Sequence, residues 1–272
     1  MTSADHPAHE APVAIARQFL EARQAARGLA AYPGALPATL AQAYAIQDHA
    51  IAAQEKAVAG WKVGRILPPD SASWGAERLA GPILADTIVE ATAGAPGLIF
   101  ADGFGAAEAE FLLRIGAPPE RDKMHFSLAE SWALVDAVHI GIEIASSPFP
   151  GINSHGPAVT ISDFGNNNGL LIGPAIADFA HADLTGQTVS LSIDGAVVGT
   201  GQAAAFPDGI VGALRFLLEN LAQRAIRLPA GTWVSSGAIT GVHPVRVGQH
   251  VTADFGPFGR VGCVIEAQSP AR

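Results

Sequence analysis

Two glutamates one residue apart, Glu108 and Glu110, lie in the run Ala107-Glu-Ala-Glu-Phe111. On a β-strand, residues i and i+2 share a face, so both carboxylates would converge while Ala109 and Phe111 turn the other way. Adjacent like charges repel unless a cation sits between them. A third carboxylate, Glu143, stands in His139-Ile-Gly-Ile-Glu-Ile-Ala145, with Ile140, Ile142 and Ile144 on the opposite face and the small Gly141 and Ala145 beside it. A glutamate in so apolar a run needs a partner to offset its desolvation. Three carboxylates with open positions between them suit a hard cation such as Mg²⁺ or Mn²⁺, which keeps waters or takes substrate oxygens. The plainer reading is a solvated face for Glu108 and Glu110 and a salt bridge for Glu143.

Lys62, in Gly60-Trp-Lys-Val-Gly64, is flanked by apolar residues and by glycines that permit close backbone approach. It could bind a carboxylate or serve as acid or base; as a surface lysine it would simply snorkel. The turn Asp163-Phe-Gly-Asn-Asn-Asn-Gly169 precedes the apolar run Leu170-Leu-Ile172 and could present amides to a polar ligand, or only shape the chain. His155 and His243 lie in loop-like stretches without metal-ligand spacing to another His or Cys, which favours structural roles. No G-x-S-x-G, P-loop or G-x-G-x-x-G stands in a supporting context, which weakens serine-hydrolase and nucleotide-enzyme readings.

The elements that must position these groups read as follows. Residues 1–10 form a polar tail. A helix is expected from Ala11 to Gly28, on Ile15, Phe19, Ala22 and Ala26. A second follows Pro37, with Thr39 as its cap, and runs to about Val58. Beyond Gly60 the texture turns to short strands. Glu108–Ile115 and His139–Ala145 are expected as strands. Val189–Ile193 meets Asp194-Gly195 and returns as a hairpin. Asp208 is expected to cap a helix bearing Leu214, Leu217, Leu218 and Leu221. Strands over 232–236, 251–255 and 261–265 close the chain. The fold class is α+β with a large mixed or antiparallel sheet.

A formal net charge of −9 and the absence of any basic run make nucleic acid and anionic membrane surfaces poor candidate partners. The single cysteine, Cys263, forms no internal disulfide, and no secretory signal is visible, so a cytoplasmic location is expected.

Taken in order, these segments resemble the 2-keto-4-pentenoate hydratase and 4-oxalocrotonate decarboxylase branch of the fumarylacetoacetate hydrolase superfamily. The resemblance runs from Ala43-Tyr-Ala-Ile-Gln47, through Leu84-Ala-Asp86 and Ser236-Gly-Ala-Ile-Thr-Gly241, to Asp254-Phe-Gly-Pro-Phe-Gly-Arg260. It implies a mixed β-roll catalytic domain over 60–272 with a small N-terminal helical appendage over 1–59. It also implies Mg²⁺ or Mn²⁺ on Glu108, Glu110 and Glu143, and Lys62 as the active-site lysine. Homo-oligomers, complexes with a related family enzyme and a place in aromatic catabolism follow from the same likeness. Two departures stand out: Arg78-Leu-Ala-Gly81 where relatives carry Pro-Asp-Phe-Gly, and Asn166 where relatives carry a serine.

The reading that follows is a hydratase, adding water to a 2-hydroxy-2,4-dienoate through an enolate to give a 4-hydroxy-2-oxo acid, with Lys62, Asn166 and His155 as catalytic candidates. Its alternatives are decarboxylation of a 2-oxo-enedioate, in which His155 or an arginine would receive the second carboxylate, C–C hydrolysis of an acylpyruvate, and an inactive scaffold subunit.

Overall fold

The computed structural model describes residues 6–271. Two sheets carry the chain. The first is ordered β2-β1-β10-β5-β6-β7-β3, with β11 also paired to β5. Its strands are β1 (Val58–Arg65), β2 (Arg78–Leu84), β3 (Ile88–Glu90), β5 (Phe104–Ile115), β6 (Val135–Ser147), β7 (Asn167–Ala175), β10 (Trp233–Ser235) and β11 (His243–Pro244). The second, ordered β4-β13-β12-β8-β9, comprises β4 (Pro96–Ile99), β8 (Val189–Ile193), β9 (Ala196–Gly201), β12 (His250–Asp254) and β13 (Arg260–Ala267). Helices α1 (His6–Gln24), α2 (Leu40–Ala53), α3 (Asp70–Trp74), α4 (Leu128–Trp132), α5 (Pro157–Ser162) and α6 (Gly209–Gln223) pack around them. This is the expected α+β architecture.

Strand alternation decides where the core lies. Ala107, Ala109, Phe111 and Leu113 of β5 and Ile140, Ile142 and Ile144 of β6 point one way. There they meet Val189 and Leu191 of β8, Val251 of β12, Val261 of β13 and the leucine stripe of α6. Phe111 packs on Phe255, ring centroids 5.3 Å apart. A fully buried phenylalanine contributes about 1.5–3 kcal/mol from area alone, which fixes the β5 face and forces Glu108 and Glu110 to the other side. At the β8–β9 turn, Asp194 (φ 50°) and Gly195 (φ 81°) adopt the left-handed pair that a two-residue hairpin requires.

The outer edge of β2 is covered by α2. The amide of Ala80 donates to the Tyr44 hydroxyl (3.0 Å), and Gln47 Nε2 donates to the carbonyls of Ala80 (3.0 Å) and Ile161 (2.8 Å). Beside it, the first sheet curls until Gly81 meets the turn before β7: a Cβ at Gly81 would lie 2.0 Å from the Phe164 carbonyl oxygen.

Several boundaries differ from expectation. Of the tail over 1–10, residues 1–5 lie outside the described residues, and 6–10 belong to α1, whose second residue, Pro7, suits a helix start. That helix ends at Gln24, before Ala26 turns left-handed (φ 48°); Gly28 serves instead a close approach to Asp102. Thr39 caps α2 through the Gln42 amide, but the helix stops at Ala53, and Val58 opens β1 because it is already paired with Leu84. Asp208 stands at the start of α6 without capping it; its carboxylate is turned to Arg215 at 2.7 Å. No described helix is long and apolar enough to cross a membrane.

Candidate metal centre

Register brings the acids together. In the antiparallel β5–β6 pair, Glu108 lies directly opposite Glu143, and Glu110 opposite Gly141. Lys62 arrives from β1 through β10, whose Ser235 is paired with both Lys62 and Leu112. The result is a cluster sealed from water: Glu108 is 3% exposed, Glu110 and Glu143 0%, and Lys62 3%. A solvated face for the glutamate pair is thereby overturned, because the curled sheet buries both sides of β5.

Glu110 and Glu143 each have one oxygen held and one free. Glu110 Oε2 accepts from Ser235 Oγ (2.5 Å) and the Gly237 amide (2.7 Å), and Glu143 Oε1 accepts from Asn167 Nδ2 (2.9 Å) and lies 3.2 Å from Lys62 Nζ. Glu108 Oε1, Glu110 Oε1 and Glu143 Oε2 are buried without a hydrogen-bond partner. Buried unpaired acceptors are costly, of order 1–3 kcal/mol each and more when charged. One ligand atom from each of the three acids lies within 4.8 Å of the others. Three converging acids, each with a buried oxygen that has no donor, fit a divalent cation in both charge and chemistry.

The electrostatics agree. Burial alone would lower the Lys62 ammonium, yet Glu143, Glu108 and Glu110 together outweigh it and hold the lysine above its usual value, so it stays charged. One ammonium cannot offset three buried carboxylates. Desolvation, and then the neighbouring acids, push Glu110 well above the carboxylate range; desolvation likewise raises Glu108 to about 7 although Lys62 opposes it.

A folded carboxyl with a raised value binds its proton more tightly than the unfolded chain does. Its contribution to stability is therefore complete below 4.5 and lost as pH rises through about 7. For Glu108 the loss is on the order of 3 kcal/mol, each pH unit being worth about 1.4 kcal/mol. The exposed Glu130, held down at about 2 by Lys123 and Ser127, acts only below that window. Chelator-treated protein should thus be less stable at pH 8 than at pH 5 in urea titrations, with the slope flattened in Glu108→Gln. Equal midpoints for the metal-free wild type would contradict this account.

The turn before β7 delivers Asn166. Phe164 (φ 55°), Gly165 (φ 61°) and Asn166 (φ 59°) are left-handed in succession, a conformation that costs non-glycine residues roughly 1–2 kcal/mol each. Its tip places Asn166 Oδ1 to accept from Lys62 Nζ at 3.2 Å, while Asn166 Nδ2 donates to Asn153 Oδ1 at 3.0 Å. His155 sits two residues beyond Asn153, exposed and stacked on Phe149 (centroids 5.7 Å apart), and touches none of the acids. His243 bonds the Thr240 carbonyl, a structural use. Leu79 faces the cluster from β2, paired with Gly64 and reaching toward Lys62.

Sequence reasoning did not single out Ser235, Gly237, Asn153, Asn167 or Arg23. Asn167 lay within a turn already marked, and Gly237 within a quoted motif. Ser235 and Asn153 carried only their polarity. Arg23 carried no local signal, since its partner Asp163 is 140 residues away.

Solved structures share this arrangement of sheets. The 4-oxalocrotonate decarboxylase of Pseudomonas putida G7, complexed with magnesium and adipate, superimposes with a TM-score of 0.80 at 24% identity, covering 94% of this chain and 97% of that one. A fumarylacetoacetate hydrolase family protein from Yersinia pestis CO92 does so at 0.56, with 15% identity over 78% of this chain and 95% of that one. The fold is that of the fumarylacetoacetate hydrolase superfamily. The sequence also resembles a curated 4-oxalocrotonate decarboxylase of Pseudomonas putida, 27% identical over 154 residues, or 57% of each chain. The match therefore spans little more than half of that relative. A fumarylpyruvate hydrolase from Pseudomonas aeruginosa, in complex with Mn²⁺ and pyruvate, has the same superfamily fold at a TM-score of 0.55 and 17% identity, covering 79% of this chain and 92% of that one. No protein-family model matches the chain.

Proposed function

We propose that this chain is a divalent-metal-dependent decarboxylase of a 2-oxo-enedioate of the 4-oxalocrotonate kind, acting in the cytoplasm in the breakdown of aromatic compounds. The observation that carries the reading is the convergence of three buried acids, each with an unpartnered oxygen, beside a buried, charged lysine. Glu108, Glu110 and Glu143 would hold magnesium or manganese, which when bound supplies a Lewis acid for the oxygens of a 2-oxo acid.

The chain's own groups supply the rest. Lys62 Nζ, kept protonated by its three neighbours, donates toward the oxygen on which charge develops and can return a proton to the enolate once CO₂ has left. Asn166 Oδ1 fixes the direction of that ammonium. Leu79 offers a hydrocarbon wall beside Lys62 and leaves no base there to activate water. Dry surroundings favour loss of CO₂ over addition of water. For this reason the hydratase reading, which wants an acid at that position, ranks below decarboxylation. The loop that brings Asn153 to Asn166 also carries His155, and we assign the second carboxylate of the substrate to it. An imidazole ring nitrogen can donate a hydrogen bond to that carboxylate and so orient it. Assembly as a homo-oligomer, alone or with a related family enzyme, belongs to the same proposal.

Offering a 2-oxo-enedioate, a 2-hydroxy-dienoate and an acylpyruvate separately with Mg²⁺, and weighing the products, separates the chemistries. Release of CO₂ from the first alone is expected. Water gained by the dienoate without CO₂ from the dioate would make the protein a hydratase, cleavage of the acylpyruvate would make it a C–C hydrolase, and no turnover of any would indicate a scaffold.

A further inference from the structure

Arg23 lies in the last turn of α1, a helix that contributes no group to the acid cluster, yet its side chain is only 11% exposed. Its guanidinium grips both ends of the left-handed turn. Before the turn, Nε donates to Asp163 Oδ1 at 2.6 Å and Nη2 to Asp163 Oδ2 at 3.0 Å and to the Asp163 carbonyl at 3.4 Å; after it, Nη1 donates to Asn168 Oδ1 at 3.2 Å. A further bond reaches the Ser146 carbonyl, and Ser147 Oγ adds 2.6 Å to Asp163 Oδ2. The guanidinium carbon lies over the rings of Phe100 and Phe164, 5.5 and 5.0 Å from their centroids.

Buried ion pairs are weak stabilisers, since desolvation offsets most of their attraction; geometry is what they can enforce. Here the enforced object is an unfavourable backbone, with Phe164 and Asn166 both left-handed, and backbone strain of this kind persists only where its surroundings over-determine it. The tip of that backbone is the amide that meets Lys62. We propose that Arg23 is a positioning residue for the reaction: with Asp163 it clamps the turn at both ends and so sets the Asn166–Lys62 contact, without touching Glu108, Glu110 or Glu143. The link to turnover rests on the decarboxylase reading; the link to the turn does not.

Arg23→Lys keeps the charge and removes the planar fork. In this variant, hydrogen exchange should quicken at least tenfold at the amides of residues 164–168 while those of β5 and β6 keep wild-type rates. Mn²⁺ affinity should stay within twofold of wild type, whereas affinity for oxalate (an enolpyruvate mimic) on the Mn²⁺-loaded protein should fall roughly tenfold. In an Asn166→Ala background the same Arg23→Lys change should alter oxalate affinity less than twofold. Unchanged exchange in the turn, exchange that rises equally in β5 and β6, or an undiminished oxalate effect beside Asn166→Ala would each overturn the proposal. Wild-type protein that binds Mn²⁺ but not oxalate would count against the decarboxylase reading alone, leaving the exchange comparison to decide on the clamp.

Discussion

Glu110→Gln is expected to abolish metal-dependent turnover and, at the same time, to leave the metal-free protein at least as stable as wild type. The held oxygen of Glu110 accepts from Ser235 Oγ and from the Gly237 amide, and the amide cannot reverse its role. The glutamine must therefore turn its carbonyl toward Gly237, which places its NH₂ at the position of the unpartnered Glu110 oxygen. A donor now occupies the one direction in which a cation needs an acceptor. The loss of activity should be at least 10²–10³-fold, the scale of removing one preorganised electrostatic group. Stability goes the other way, because the side chain that burial and like charge made hard to ionise no longer has to be kept neutral. Calorimetric titration with Mn²⁺ and melting curves with and without metal check both halves. Metal-dependent turnover at the wild-type rate would remove Glu110 from the ligand set.

Lys62→Met should have a comparable effect on rate with the opposite effect on the metal-free fold. Lys62 is the cation that all three acids share, in contact with Glu143 at 3.2 Å. Breaking a buried pair by removing one partner costs about 3–5 kcal/mol. Protonation of the acids relieves part of that at neutral pH, so the metal-free variant should melt well below wild type and recover further at pH 5. A bound dication restores the counter-charge, and the gap between the two proteins should narrow with Mg²⁺. Turnover should nevertheless stay low, by roughly 10²–10⁴-fold, if Lys62 transfers a proton or steadies the enolate oxygen. A variant whose stability drops while kcat at saturating Mg²⁺ holds would leave Lys62 with a structural role only.

The acids were legible because their pattern is local. Glu108 and Glu110 flank Ala109, and the isoleucines around Glu143 have a period of two, so the face of each carboxylate follows from strand geometry alone. The hairpin at Asp194-Gly195 was legible for the same reason. What the period cannot give is which strands are neighbours. β10 inserts between β1 and β5, and this long-range fact supplies Ser235 and the Gly237 amide to Glu110. Nor does local pattern report burial on both faces, which curling of the sheet imposes and which removes the solvated reading of the acids. Arg23 is the plainest case: an arginine near the end of an amphipathic helix reads as surface, and only the fold brings Asp163 to it. α2 ends at Ala53, short of the expected Val58, for a related reason, since pairing of Val58 with Leu84 overrides any helical preference there.

Tyr44 and Gln47 engage both main-chain groups of Ala80. Side chains thus stand in for a missing neighbour strand, and the border of the sheet is already spoken for. Another polypeptide cannot add itself at that point, so subunits that join by extending a sheet must do so elsewhere. Trimming the chain to begin beyond α2 would lay bare an amide and a carbonyl that nothing else satisfies, turning a closed border into an adhesive one.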